Sequence, residues 1–73
     1  MATFIVMDHS GDTRYEFDAG DANARLKAEE RFRELIGARF TAATRHSSGE
    51  PTVTRRFDPT ADETVFFPRL VGG

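Results

Sequence analysis

The pattern of hydrophobic and polar positions along the 73-residue chain changes period several times, and each change marks an element. Thr3-Phe4-Ile5-Val6-Met7 is an unbroken apolar and β-branched run, as expected of a strand in the middle of a sheet or covered on both faces. His9-Ser10-Gly11-Asp12 is a turn signal. The residues from Thr13 to Asp18 then alternate, with Tyr15 and Phe17 on one face and Arg14 and Glu16 on the other. These runs predict a hairpin whose second strand is half solvated and near an edge. Asp18-Ala19-Gly20-Asp21 breaks the strand, and either aspartate can accept from the first free amides of a helix. At about 100° per residue, Ala24, Ala28, Phe32, Leu35 and Ile36 fall on one stripe. Arg25, Lys27, Glu30, Arg31, Arg33 and Glu34 lie around or opposite it. Leu26 falls off the stripe, where edge packing or a partner contact would use it. Gly37 is expected to end the helix by taking positive φ.

Phe40 to Arg45 and Thr52 to Phe57 read as a second hairpin around His46-Ser47-Ser48-Gly49-Glu50-Pro51, with Phe40, Val53 and Phe57 as its core contribution. Phe57 to Glu63 reads as a turn, with Asp58 capping and Pro59 at its first position. Val65-Phe66-Phe67 has the character of a buried central strand, and Pro68 removes a ladder donor where pairing should weaken. Two strands, a helix, two strands, a turn and a last strand predict an α+β fold. Its mixed sheet of four to five strands carries one helix across one face, with the last strand parallel to the first between the hairpins. A ferredoxin-like arrangement would need a second helix, for which Asp58 to Glu63 is too short. Residues 1–69 are expected to form the domain and residues 70–73 a flexible tail.

Composition narrows the function. Hydrophobic residues make up 38% and charged residues 30%, which suits a small soluble fold, and there is no cysteine to supply a disulfide, thiolate ligand or catalytic thiol. The formal charge of −2 provides no overall basic field for nucleic acid. No apolar run reaches the roughly twenty residues of a membrane span, and Met1-Ala2-Thr3 lacks the basic start of a signal peptide, so a cytoplasmic monomer is expected. His9 and His46 sit beside turns with no metal-ligand spacing, and no metal site is expected. There is no Cys-His or Ser-His spacing and no glycine-rich phosphate loop. The chain is therefore expected not to be an enzyme and to hold no cofactor. The carboxylates fall at turns and caps or beside helix arginines, as on a solvated, salt-bridged surface.

The final stretch is what folding does not explain. Glycine loses the most entropy on ordering and packs no side chain, so Gly72-Gly73 anchors nothing, yet it can lie extended in a narrow tunnel and present a carboxylate. Asp62-Glu63-Thr64-Val65-Phe66-Phe67-Pro68-Arg69-Leu70-Val71-Gly72-Gly73 resembles the carboxyl end of the ubiquitin-like β-grasp carriers. It looks most like the small subunit of molybdopterin synthase and its sulfur-carrier relatives, whose ends run acidic pair, apolar strand, Phe-Pro, short apolar tail, Gly-Gly. The predicted element order is likewise that of the β-grasp fold.

This resemblance implies a ubiquitin-like protein modifier. An adenylating activating enzyme, using its own ATP, would draw in Arg69, Leu70, Val71 and Gly72 and join the Gly73 carboxylate to AMP. A conjugating enzyme, a deconjugating peptidase and target proteins would be further partners. Lys27, the single lysine, would be the candidate for lysine-linked chains. The same resemblance implies an alternative, a sulfur carrier whose Gly73 becomes a thiocarboxylate. Phe66-Phe67-Pro68 looks like the carriers, whereas the Phe40 to Phe57 region matches none of their motifs. A non-covalent β-grasp interaction module is the third possibility.

Overall fold

The structure is a computed structural model and describes residues 1–47 and 49–68. Its elements follow the predicted order: β1 (Ala2–Asp8), β2 (Gly11–Phe17), α1 (Ala22–Gly37), β3 (Phe40–Arg45), β4 (Thr52–Thr54) and β5 (Glu63–Pro68). The five strands form one sheet in the order β2-β1-β5-β3-β4. Only the β1–β5 pair is parallel, running from Thr3 opposite Glu63 to Val6 opposite Phe66. The other neighbours are antiparallel. A mixed sheet with one helix against it, and the last strand between two hairpins, is a β-grasp-like α+β architecture.

Local chemistry explains the joints. The first hairpin turns through His9 and Ser10, with Asp8 opposite Gly11. The Asp8 carboxylate accepts from the Ser10 amide at 2.8 Å and the Ser10 hydroxyl at 2.6 Å, and these bonds hold its pKa below the ordinary value. Gly11 has φ +126°, a conformation that L side chains rarely adopt. Asp21 is the N-cap of α1, its side chain accepting from the amides of Asn23 and Ala24.

The helix ends differently from the expectation at Gly37. The helix runs through Gly37, Ala38 caps it, and the positive φ falls on Arg39 at 70°. The Ala38 amide donates to the carbonyls of Glu34 and Leu35, and that of Arg39 to Ile36, so the final carbonyls are satisfied two residues late. An arginine there costs about 1 kcal/mol relative to glycine.

The core lies between α1 and one face of the sheet. Phe4 and Phe66 are fully buried and their rings meet edge to face at 5.0 Å across β1 and β5. Phe17, Phe32 and Phe57 surround Phe4 with centroids 5.1, 6.5 and 6.2 Å away. The helix stripe lies where the period places it: Ala28 and Phe32 are buried, and Ala24, Leu35 and Ile36 pack partly buried against the cluster. Leu26 is 60% exposed.

Three features of the later strands depart from expectation. Val65-Phe66-Phe67 alternates rather than being buried throughout: Phe66 is buried, Val65 is half-buried and Phe67 is exposed. The central strand is covered by α1 on one face only. β4 stops at Thr54 because the Thr54 hydroxyl accepts from the Arg56 amide at 3.1 Å and donates to the Arg56 carbonyl at 3.2 Å, turning the chain off the sheet. Phe57 reaches the core from the loop instead. Val53 does not join the core and is 67% exposed, because the register puts it on the sheet face opposite α1.

That open face carries a row formed by Arg14, Ile5, Val65, Ala43 and Val53, each opposite the next in register. Beside it Arg45 faces Glu63 across β3 and β5 and forms an ion pair with it.

Removing the Phe4 ring should cost about 3–5 kcal/mol, most of the stability of a domain this small, whereas Val53→Ala should change it by less than about 0.5 kcal/mol. Urea unfolding followed by far-ultraviolet circular dichroism measures both. Comparable losses for the two variants would refute the burial assignment.

Candidate functional site

The residues assigned to activating-enzyme recognition and attachment, Arg69, Leu70, Val71, Gly72 and Gly73, lie outside the described residues, as does the boundary between domain and tail placed at residues 69 and 70. The structure describes the strand that leads to them. On the β1 side of β5 the ladder ends with Phe66 opposite Val6, while on the β3 side it continues through Phe67 opposite Thr41 to Pro68 opposite Phe40. β5 thus leaves the sheet in contact with β3 alone. The missing Pro68 amide donor falls at the end of the ladder, the place where a proline is tolerated.

The entry to β5 is fixed by a small polar cluster. Asp58 Oδ1 accepts from the Thr60 hydroxyl at 2.6 Å and the Thr60 amide at 2.9 Å. His46 Nε2 lies 3.4 Å from Asp58 Oδ2 and 3.2 Å from the Thr60 hydroxyl. The Asp58 pKa lies below its ordinary value, chiefly through the Thr60 hydroxyl; partial burial opposes the shift, while the Thr60 amide and His46 add to it. The backbone completes the connection: Ala61 donates to Asp58, Asp62 to Arg45 and Thr3 to the Asp62 carbonyl. The turn expected at Asp58-Pro59 is present. His46, which the sequence places beside a turn, is exposed but ties the β3–β4 loop to the turn before β5, a contact between positions 14 apart that no local spacing signals.

Lys27 is exposed on α1. Glu29 pairs with Arg33 one turn later at 3.3 Å, as the charge spacing predicted. A groove of about 420 Å³ lies beside the exit of β5, lined by Ile36, Arg39, Phe40, Val53, Thr54 and Arg55 among others. Arg55 and Arg56 are adjacent in the sequence. Their grouping with Arg39 and Arg33 comes only from folding α1 against the β3–β4 hairpin.

Among the described residues, no group of three or more His, Cys, Asp or Glu side chains converges to hold a metal ion. No helix among them is long and apolar enough to cross a membrane. The chain matches no protein-family model, no curated protein and no solved structure.

Because its folded pKa is lowered, Asp58 contributes stability that is fully present above the ordinary value of 3.8 and is lost as the pH falls through and below that value. Asp58→Asn should lower the melting temperature by about 4 °C near neutral pH, with the gap closing as the pH falls below 3.8. Melting curves across that range measure it. A gap that persists undiminished at the acid end would show that the carboxylate charge is not responsible.

Proposed function

We propose that this chain is a ubiquitin-like protein modifier whose Gly73 carboxylate is activated by adenylation and transferred to an amine on a target protein. One observation carries most of the weight. The central strand of the sheet, hydrogen-bonded between β1 and β3, leads directly into Arg69-Leu70-Val71-Gly72-Gly73, so a rigid body stands immediately before a stretch of little folding value. The body gives an activating enzyme a fixed surface to hold. The two glycines give its site a backbone without side chains to exclude.

The chemistry belongs to that enzyme. A Gly73 carboxylate oxygen attacks the α-phosphorus of ATP, and pyrophosphate leaves. The acyl-adenylate is then opened by an enzyme thiolate with loss of AMP, and the target amine displaces the thiolate to form an amide. With Lys27 as the single lysine, further copies would attach only there or at the amino terminus.

A sulfur carrier is the second reading, favoured by Phe66-Phe67-Pro68 alone. In that case a sulfur nucleophile opens the adenylate and Gly73 ends as a thiocarboxylate.

Incubation with ATP and an adenylating activating enzyme, followed by intact mass and denaturing electrophoresis, separates the two. Bands of higher mass that survive boiling in detergent indicate a modifier. A gain equal to one oxygen replaced by sulfur indicates a carrier. Deletion of Gly73 should abolish either product, and a tail-deleted chain that is still adenylated would overturn both. For the modifier, Lys27→Arg with a blocked amino terminus should leave single attachments only, and a persistent ladder would contradict that.

A further inference from the structure

The groove between the carboxyl end of α1 and the β3–β4 edge combines three properties. Its apolar lining is Ile36, Phe40 and Val53, and Arg39 and Arg55 line it too. A neighbouring depression shares Arg55 and adds Arg33, Arg56 and Glu29. Four arginines thus meet one carboxylate, and that carboxylate is paired with Arg33 at 3.3 Å. In a chain of net charge −2 this is a local reversal of sign. Among the described residues, no carboxylate lies within ion-pair distance of Arg39, Arg55 or Arg56.

Arg39 adds a separate clue. It is the one non-glycine with positive φ among the described residues, at a helix-ending position where glycine would be favoured by folding alone. An arginine thus stands where the backbone favours glycine, a kind of local strain that often accompanies binding sites. The third property is the edge itself. β4 is the last strand of the sheet and pairs only with β3, so along Thr52–Thr54 one row of amides and carbonyls faces outward.

We propose that this groove binds an extended segment of a partner protein in which acidic and apolar side chains alternate. The segment adds to the outer edge of β4, its apolar side chains lie on the α1 side of the sheet against Ile36 and Phe40, and its carboxylates meet Arg39 and Arg55. Charge complementarity selects the partner, and guanidinium–carboxylate pairing supplies geometric specificity. This interaction is non-covalent and goes beyond the activation of Gly73, on which it does not depend.

The test titrates the full isotope-labelled chain with a short synthetic peptide alternating glutamate and valine, with a glutamine-for-glutamate counterpart, and with an oligonucleotide of equal charge, followed by amide chemical shifts. The glutamate peptide should shift Phe40, Val53, Thr54 and Arg55 and weaken as salt is raised, and the glutamine peptide should bind about tenfold more weakly or less. Arg39→Gly and Arg55→Gln should each weaken the glutamate peptide by about tenfold. Arg39→Gly should also melt at or above the parent temperature, because glycine takes positive φ freely. Shifts centred on Ile5 and Val65, equal binding of the glutamine peptide, tighter binding of the oligonucleotide, or a lowered melting temperature for Arg39→Gly would each overturn the proposal.

Discussion

The edge-to-face contact of Phe4 and Phe66 is the constraint on which the rest of the fold depends. These are the two largest fully buried side chains, and they sit on the two central strands, whose sequence positions are far apart. Each buried ring contributes about 2–3 kcal/mol by removal of apolar surface from water, and the pair adds about 1 kcal/mol through its geometry. Phe32 touches both rings, at 6.5 Å from Phe4 and 5.5 Å from Phe66, so the helix docks where the strands already meet. In a domain with little other large apolar volume, this aromatic cluster sets the distance between layers.

Covering one face with a single helix leaves the sheet two different surfaces. The covered face collects Phe4, Phe17 and Phe66 with the small buried residues Ala42, Thr44 and Thr64, whereas Phe67 is exposed. Thr44 remains satisfied there because its hydroxyl donates to the Thr52 carbonyl at 3.3 Å. The open face carries mid-sized aliphatic residues and the Arg45–Glu63 pair. The charged residues divide as well. Acids gather at the turns that start or cap elements, including Asp8, Asp18, Asp21 and Asp58, whereas arginines collect at the far end of the helix around Arg39 and Arg55.

Much of this was legible in the chain because its signals are local. The β1 run, the alternation of β2, the Asp21 cap and the 3.6-residue stripe through Ala28 and Phe32 each require only neighbours in sequence, and each lies where the pattern puts it. What local pattern did not show depends on competition between alternatives. Gly37 and Arg39 both lie near the helix end, and the carbonyls that Ala38 and Arg39 satisfy decide which takes positive φ. Val53 and Phe57 are both apolar, but the register with β3 puts Val53 on the open face, while the Thr54 hydroxyl ends the strand and lets Phe57 turn back to the core. Of the candidate site, the sequence displays the Gly-Gly ending and Arg55-Arg56. The grouping of Arg33 and Arg39 with that pair is a product of tertiary packing.

The parallel pairing of β1 with β5 has a consequence for how the protein is made. Of the described elements β5 is synthesised last, yet it occupies the middle of the sheet and supplies Phe66 to the core. Until it emerges, β1 and β3 have no neighbour on their inner sides, and the β-branched run from Thr3 to Met7 is an exposed edge open to unwanted pairing. The sheet can therefore close only once β5 has been made, and its rate carries the penalty of closing the long loop between β1 and β5. A chain that stops before Glu63 lacks the strand that joins the two hairpins and leaves the Phe4 ring without its Phe66 partner.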